Sequence, residues 1–194
     1  VRVGSAHDGG YPMCANLLAG IEAAYSYGIG GNDDWGCQIS RAHKVPVHQY
    51  DCFNPASAPC AGADVRLNVE CVGIRQETID GRPFDTLANQ IARNGDAGKR
   101  IVVKMDIEGG EWPSLMSAPD AIFEHIVQMP MELHGTDTQD VLDGIRKLKE
   151  HFYLVVVHFN NWECTGKNAP FPNFAYQVLL VNKNVGTPGE PRRG

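Results

Sequence analysis

Apolar positions along the chain fall in short β-branched or aromatic runs, separated by clusters of Gly, Pro, Asn and Asp. This is the pattern of buried strands punctuated by turns. The first clear run is Ala23 to Tyr27, closed by Gly28-Ile29-Gly30-Gly31. The second is Val45 to Tyr50, ending at Asp51, and a third, shorter one is Leu67 to Val72. Ile101-Val102-Val103-Lys104-Met105-Asp106-Ile107 is the strongest strand signal, a compact β-branched run after Lys99-Arg100. Ile126 to Leu133 follows, and Pro130 inside it predicts an edge strand or a strand end. Tyr153 to Phe159 and Tyr176 to Val181 complete the series, with a loop, Asn160 to Ala175, between them. Helical spacing is clear in two places. Residues 86–92 form one, with Asp85 as the predicted N-cap and Asn94-Gly95 as the stop. In residues 138–151, Val141, Leu142, Ile145 and Leu148 recur at helix period, with Asp140 early and Lys147 and Lys149 late, as the helix dipole favours.

The first five strands are spaced by about 23 to 34 residues, which leaves room for crossovers and predicts an α/β fold with a mostly parallel sheet. The last two strands, joined by a loop alone, predict an antiparallel pair at one edge. A length of 194 residues with 43% hydrophobic positions suits one domain with one core, expected over 1–183, followed by a Gly/Pro/Arg-rich flexible tail at 184–194. A net charge of −6 with scattered Lys and Arg argues against a nucleic-acid partner, and no run of 18 apolar residues is present to span a membrane. The opening Val1, in place of Met, leads to the expectation that an upstream segment has been removed, so the compartment, cytoplasmic or secretory lumen, stays open. The six cysteines match no zinc spacing. They read as buried free thiols or, alternatively, include a Cys52–Cys60 bridge that would imply an oxidising compartment.

Open α/β sheets bind ligands at the carboxyl ends of their strands, so the residues found there are the candidates for chemistry. Gly28, Gly30 and Gly31 end the first strand and would let a ligand approach the backbone. Asp51, twenty residues beyond Gly31 at the end of the next strand, is placed to accept hydrogen bonds from ribose hydroxyls. The absence of a P-loop lysine disfavours a nucleoside triphosphate. Asp106, Glu108 and Glu111 put three carboxylates into six residues. Asp106 and Glu108 would share a face if the strand continues. Glu132 and His134 follow the fifth strand and His158 lies on the sixth. Asp106, Glu132, His134 and His158 would all lie at the same edge of the sheet and could hold a hard divalent cation through the carboxylates, with a histidine, His134 or His158, left as general base. Trp35, Trp112 and Trp162 read as core or as an aromatic platform in loops at this edge, and Pro170-Phe171-Pro172 as a lid or a rigid connector.

Three stretches resemble the FkbM-type S-adenosylmethionine-dependent methyltransferases, in a methyltransferase-like branch: Tyr25 to Asp33, Val103 to Trp112, and Glu132-Leu133-His134-Gly135. The opening Gly4 to Tyr11 and the late segment from His158 to Lys183 extend the likeness over nearly the whole chain. Lys-Met-Asp-Ile-Glu-Gly-Gly-Glu is its most specific part, whereas Gly-Ile-Gly-Gly-Asn departs from the alternating glycines common in methyltransferases. The resemblance implies a Rossmann-like class I methyltransferase sheet with an antiparallel final strand, and S-adenosylmethionine as cofactor. It places Gly28, Gly30 and Gly31 under the methionine part, Asp51 on the ribose, and Asp8 and Tyr11 over the pocket. Asp106 would face the transferred methyl group, and Mg²⁺ or another divalent cation would sit by Asp106 and Glu132, with Glu108 and His134 nearby. The reaction expected is O-methylation of a sugar, glycan or small-metabolite hydroxyl. A catalytically idle binding module of the same fold and an NAD(P)-dependent oxidoreductase are the rival readings.

Overall fold

The computed structural model describes residues 1–135, 138–159, 174–187 and 189. A hairpin of β1 (Arg2–Gly4) and β2 (Gly10–Pro12) leads through a 3-10 turn (Ala15–Leu17) to β3 (Ala23–Tyr27), α1 (Asp34–His43), β4 (Val47–Tyr50) and β5 (Val65–Asn68). A small sheet follows from β6 (Cys71–Gly73), β7 (Glu77–Ile79) and β8 (Arg82–Thr86). The chain continues through α2 (Leu87–Arg93), β9 (Ile101–Met105), α3 (Glu111–Ser117), α4 (Asp120–Phe123), β10 (Ile126–His134), α5 (Gln139–His151), β11 (Phe152–Phe159) and β12 (Ala175–Asn182). The main sheet has seven strands in the order β11-β12-β10-β9-β3-β4-β5. All ladders from β10 to β5 are parallel, and β12 runs antiparallel to both β10 and β11. The fold is α/β and Rossmann-like, mostly parallel with an antiparallel C-terminal strand.

Both faces of the sheet are covered, which is why its central strands are continuously apolar instead of alternating. Tyr25, Val103 and Met105 point to one face, where they meet Leu87 and Ile91 of α2, Trp112 and Leu115 of α3, and Leu148 of α5. Ala24 and Val102, one residue out of phase, point to the other, where Tyr11, Leu18 and the α1 residues Trp35 and Ile39 cover them. Among the described residues no helix is long and apolar enough to cross a membrane.

Several expectations need correction. Thr86, not Asp85, caps α2, its hydroxyl accepting from the Asn89 amide at 3.1 Å; Asp85 instead accepts from the Thr86 amide and the Asn89 side chain. Pro130 lies in an interior strand, between β9 and β12. A strand residue donates its amide to one neighbour only, so proline there removes a single ladder bond. The run Leu67 to Val72 is split, β5 joining the main sheet and β6 the small one, with Glu70 at the break held by Gln90 and Arg93 of α2. At the start of the expected tail, the amides of Asn184 and Gly186 bond back to Asn182; residues 188 and 190–194 lie outside the described residues. Cys37 pairs with Cys60 and Cys52 with Cys71, so these four are not the free thiols expected and no Cys52–Cys60 bridge forms; Cys14 is free, and Cys164 lies outside the described residues.

Candidate active site

The carboxyl ends of β3, β4 and β9 surround a cavity of about 640 Å³. Gly28, at φ 73°, starts its floor; a Cβ there would sit 1.7 Å from the Asp106 carbonyl oxygen, so the turn after β3 rests directly on the chain leaving β9. Gly30 and Gly31 also have positive φ, but a Cβ at Gly30 would meet nothing within 4 Å, so its constraint is conformational only.

Asp51 lies beneath this turn, buried and lining the cavity. Its Oδ2 accepts from the amides of Ile29 (3.2 Å) and Gly30 (3.1 Å) and from the Asn54 side chain. Its Oδ1 accepts from the amides of Phe53 (2.9 Å) and Asn54 (2.8 Å). Burial alone would raise its pKa, but these bonds prevail and hold it below the usual value. Asp51 thus builds the junction between the two turns, and Asn54 beside it also lines the cavity.

On the β9 side, Asp106 Oδ2 accepts from the Tyr11 hydroxyl at 2.8 Å, and Lys104 Nζ is 3.8 Å away. Burial, followed by the charge and hydrogen bond of Asp106, pushes the Tyr11 hydroxyl well above its ordinary pKa. Tyr11 is therefore a proton donor to Asp106. Glu111, the first residue of α3, is fully buried and accepts from the amides of Ile107 (2.8 Å) and Gly109 (2.9 Å). It folds the Asp106–Gly110 segment around its own carboxylate. The same carboxylate meets His134 Nδ1 at 3.1 Å, while His134 Nε2 is 3.5 Å from Glu108 and 3.9 Å from Glu132. Burial favours the neutral ring, but the hydrogen bond and charge of Glu111, with Asp106 and Glu108 nearby, outweigh it and lift the His134 pKa to about 9. The expectation of a histidine near its ordinary pKa acting directly as base did not include this carboxylate neighbour.

Asp106, Glu108 and His134 bring one ligand atom each to within 4.8 Å of one another. They meet through a turn, not along a strand, since β9 ends at Met105 and Glu108 has φ 56°. Glu132 is buried beside His134 and receives the Gln177 amide at 3.4 Å. Asp8 lines the cavity from the N-terminal hairpin. His158 does not join the group. It is exposed on β11, paired with Gln177 of β12, which in turn pairs with Glu132, so two strand spacings, roughly 10 Å, intervene. Trp35 and Trp112 are buried in helices, and Trp112 Nε1 donates to the His134 carbonyl at 2.6 Å; Trp162 and Pro170-Phe171-Pro172 lie outside the described residues.

The sequence reading assigned no role to Lys104, Asn54, Phe53 or the Cys52–Cys71 bridge, all of which line the cavity, or to Glu111 as partner of His134. Only Lys104 carries a signal in the sequence, a charge inside an otherwise apolar strand. No protein-family profile matches the chain, and no curated protein matches it. Among solved structures, an rRNA methylase from Streptococcus thermophilus is 11% identical with a TM-score of 0.47, over 86% of this chain and 91% of that one. A Thermoplasma acidophilum protein is 10% identical with a TM-score of 0.40, over 86% of this chain and 81% of that one.

Proposed function

We propose that this chain is an S-adenosylmethionine-dependent methyltransferase of the FkbM-like type, acting on a hydroxyl of a sugar, glycan or small metabolite. The observation that carries the reading is the convergence, on one cavity, of the glycine turn, the Asp51 junction and the Asp106–Glu108 acids, at the carboxyl rim of a sheet whose reversed strand lies next to β10. The lining suits a sulfonium cofactor. Its glycine cradle admits close approach at Gly28, Asp51 at the end of β4 holds the turns that would face a ribose, and Phe53, Val72 and Phe84 line it for a purine. S-adenosylmethionine, when bound, supplies an electrophilic methyl group.

A sugar hydroxyl is a poor nucleophile, so the chain's own groups must orient it and accept its proton. Asp106, steadied by the Tyr11 hydroxyl and lining the cavity where the chain leaves β9, takes that role. His134, anchored by Glu111 through Nδ1, turns Nε2 towards Glu108 at 3.5 Å and Glu132 at 3.9 Å. With the proton on His134 Nε2 displaced, Asp106, Glu108 and His134 would offer a divalent cation such as Mg²⁺ or Mn²⁺ two hard oxygens and an imidazole nitrogen, the other ring nitrogen being fixed by Glu111, with Glu132 adjacent. A cation held there would acidify the acceptor hydroxyl.

Calorimetric titration with S-adenosylmethionine and with NAD⁺ tests the cofactor reading. Binding of the first alone is expected; binding of NAD⁺ alone would make the chain an oxidoreductase, and binding of neither an idle module. Methyl transfer to saccharide acceptors tests the reaction. Asp106→Ala and His134→Ala are each expected to abolish it in folded protein, and undiminished turnover in either removes that residue from the mechanism.

A further inference from the structure

Lys104 is 5% exposed, yet its ammonium lines the cavity. Two of its three protons go to carbonyls of the turn after β3, those of Tyr27 at 3.2 Å and Gly28 at 2.5 Å. The third has no hydrogen-bond acceptor among the described residues, since Asp106 Oδ2 stands off at 3.8 Å and already accepts from Tyr11. The Asp106 charge and the Tyr11 ring, whose centroid is 5.4 Å from Nζ, face the ammonium without filling its third hydrogen bond, and an unfilled donor on a buried cation is costly. Around it the lining is acidic, with Asp8, Asp33, Asp34, Asp51, Asp106 and Glu108, and Lys104 is the one cation lining the cavity among the described residues. A ligand held there must therefore be mostly cationic, and any anionic group it carries has a single charged partner available.

Three amides of the glycine turn are already engaged within the protein. The amides of a glycine turn are the usual receivers of an anion, but here that of Gly28 donates to the Tyr50 carbonyl, and those of Ile29 and Gly30 donate to Asp51. With these three amides engaged internally, we infer that Lys104 binds the carboxylate of the cofactor's amino-acid moiety. The two turn carbonyls fix the ammonium in place and leave its third proton to donate to the incoming carboxylate, while the surrounding acids meet the ligand's ammonium and sulfonium.

The inference rests on the cofactor reading above, and its test separates the two. Affinities of the intact chain are measured calorimetrically for S-adenosylmethionine and for its decarboxylated analogue, in wild type and in Lys104→Met. The wild type is expected to prefer the carboxylate-bearing ligand by about 10- to 100-fold, the effect of one charge-assisted hydrogen bond. In Lys104→Met that preference is expected to vanish, with affinity for the decarboxylated analogue kept within about 2-fold. Equal affinities in the wild type would overturn the inference while leaving the cofactor reading intact, and that comparison requires no variant to fold. Loss of both ligands to the same degree in a folded Lys104→Met protein would also overturn it, making the lysine a prop for the turn alone. Failure of either ligand to bind the wild type would overturn the cofactor reading and this inference with it.

Discussion

The carboxylate of Glu111 and the imidazole of His134 meet at 3.1 Å from elements 23 residues apart in the chain, one fully buried and the other 5% exposed. Glu111 also holds the amides of Ile107 and Gly109, so one side chain both shapes the acidic turn after β9 and orients the ring that faces it. Removing it would leave two amides and an imidazolium without their acceptor. Glu111→Ala is expected to destabilise the protein by roughly 3–5 kcal/mol, and Glu111→Gln, which keeps one acceptor oxygen, by less. Urea denaturation read by tryptophan fluorescence checks this; equal stability of wild type and Glu111→Ala would show that the turn holds itself.

Gly28 and Gly30 both have positive φ but differ in the space around them. Gly28→Ala would drive a methyl group to 1.7 Å from the Asp106 carbonyl, whereas Gly30→Ala would meet open space. Gly28→Ala is expected to displace the turn and destabilise by more than about 3 kcal/mol. Gly30→Ala should cost only the left-handed penalty, roughly 1–2 kcal/mol. Thermal melts of the pair give the order directly, and a reversal would mean that the turn is not seated on β9.

Asp51 has a depressed pKa because burial, which opposes ionisation, is outweighed by the hydrogen bonds it accepts from Asn54, Phe53 and Gly30. A group of this kind adds stability above its unfolded-state pKa, and loses it as pH falls through the lower folded value. The stability difference between wild type and Asp51→Asn is therefore expected to be constant from pH 7 down to about 5, and to shrink below about 3.8. A difference that does not change with pH would place the carboxylate outside this hydrogen-bond network.

Cys52 and Cys71 line the cavity, and their bridge ties the turn after β4 to β6. Cys37–Cys60 ties α1 to the loop between β4 and β5. The sequence separations of 19 and 23 residues correspond to about 3 kcal/mol of loop-closure stabilisation each. Peptide mapping is expected to recover both pairs, and reductant to lower the melting temperature. Reduction of Cys52–Cys71 should weaken cofactor binding as well, because it frees the cavity wall. Recovery of a Cys52–Cys60 peptide would contradict the arrangement.

Much of the sheet was legible because its strands are buried on both faces and so read as unbroken apolar runs, Ile101–Met105 above all. The helix Asp34–His43 was not, since Trp35 and Ile39 are its only large buried apolar residues and polar neighbours dilute the period. The three-residue strands of the N-terminal hairpin and the small sheet carry too few positions for any period to register. Asp106, Glu108 and His134 converge as the sequence suggested, but by a left-handed turn at Glu108 that strand alternation does not describe. His158 shows the limit of reasoning from strand ends. Its strand ends at the same rim, yet the order of strands, set by long-range pairing, puts it at the far edge. Pairwise side-chain relations such as Glu111 with His134, and the cysteine pairing, depend on that same folding and leave no local mark.

The central claim is that S-adenosylmethionine occupies this cavity. Hydrogen–deuterium exchange with and without the cofactor tests it most directly. The account predicts slowed exchange in peptides covering residues 27–34, 51–56 and 104–111, with the β11 edge unchanged. Unaltered exchange in all three segments at saturating cofactor, or protection confined to another face of the molecule, would contradict it.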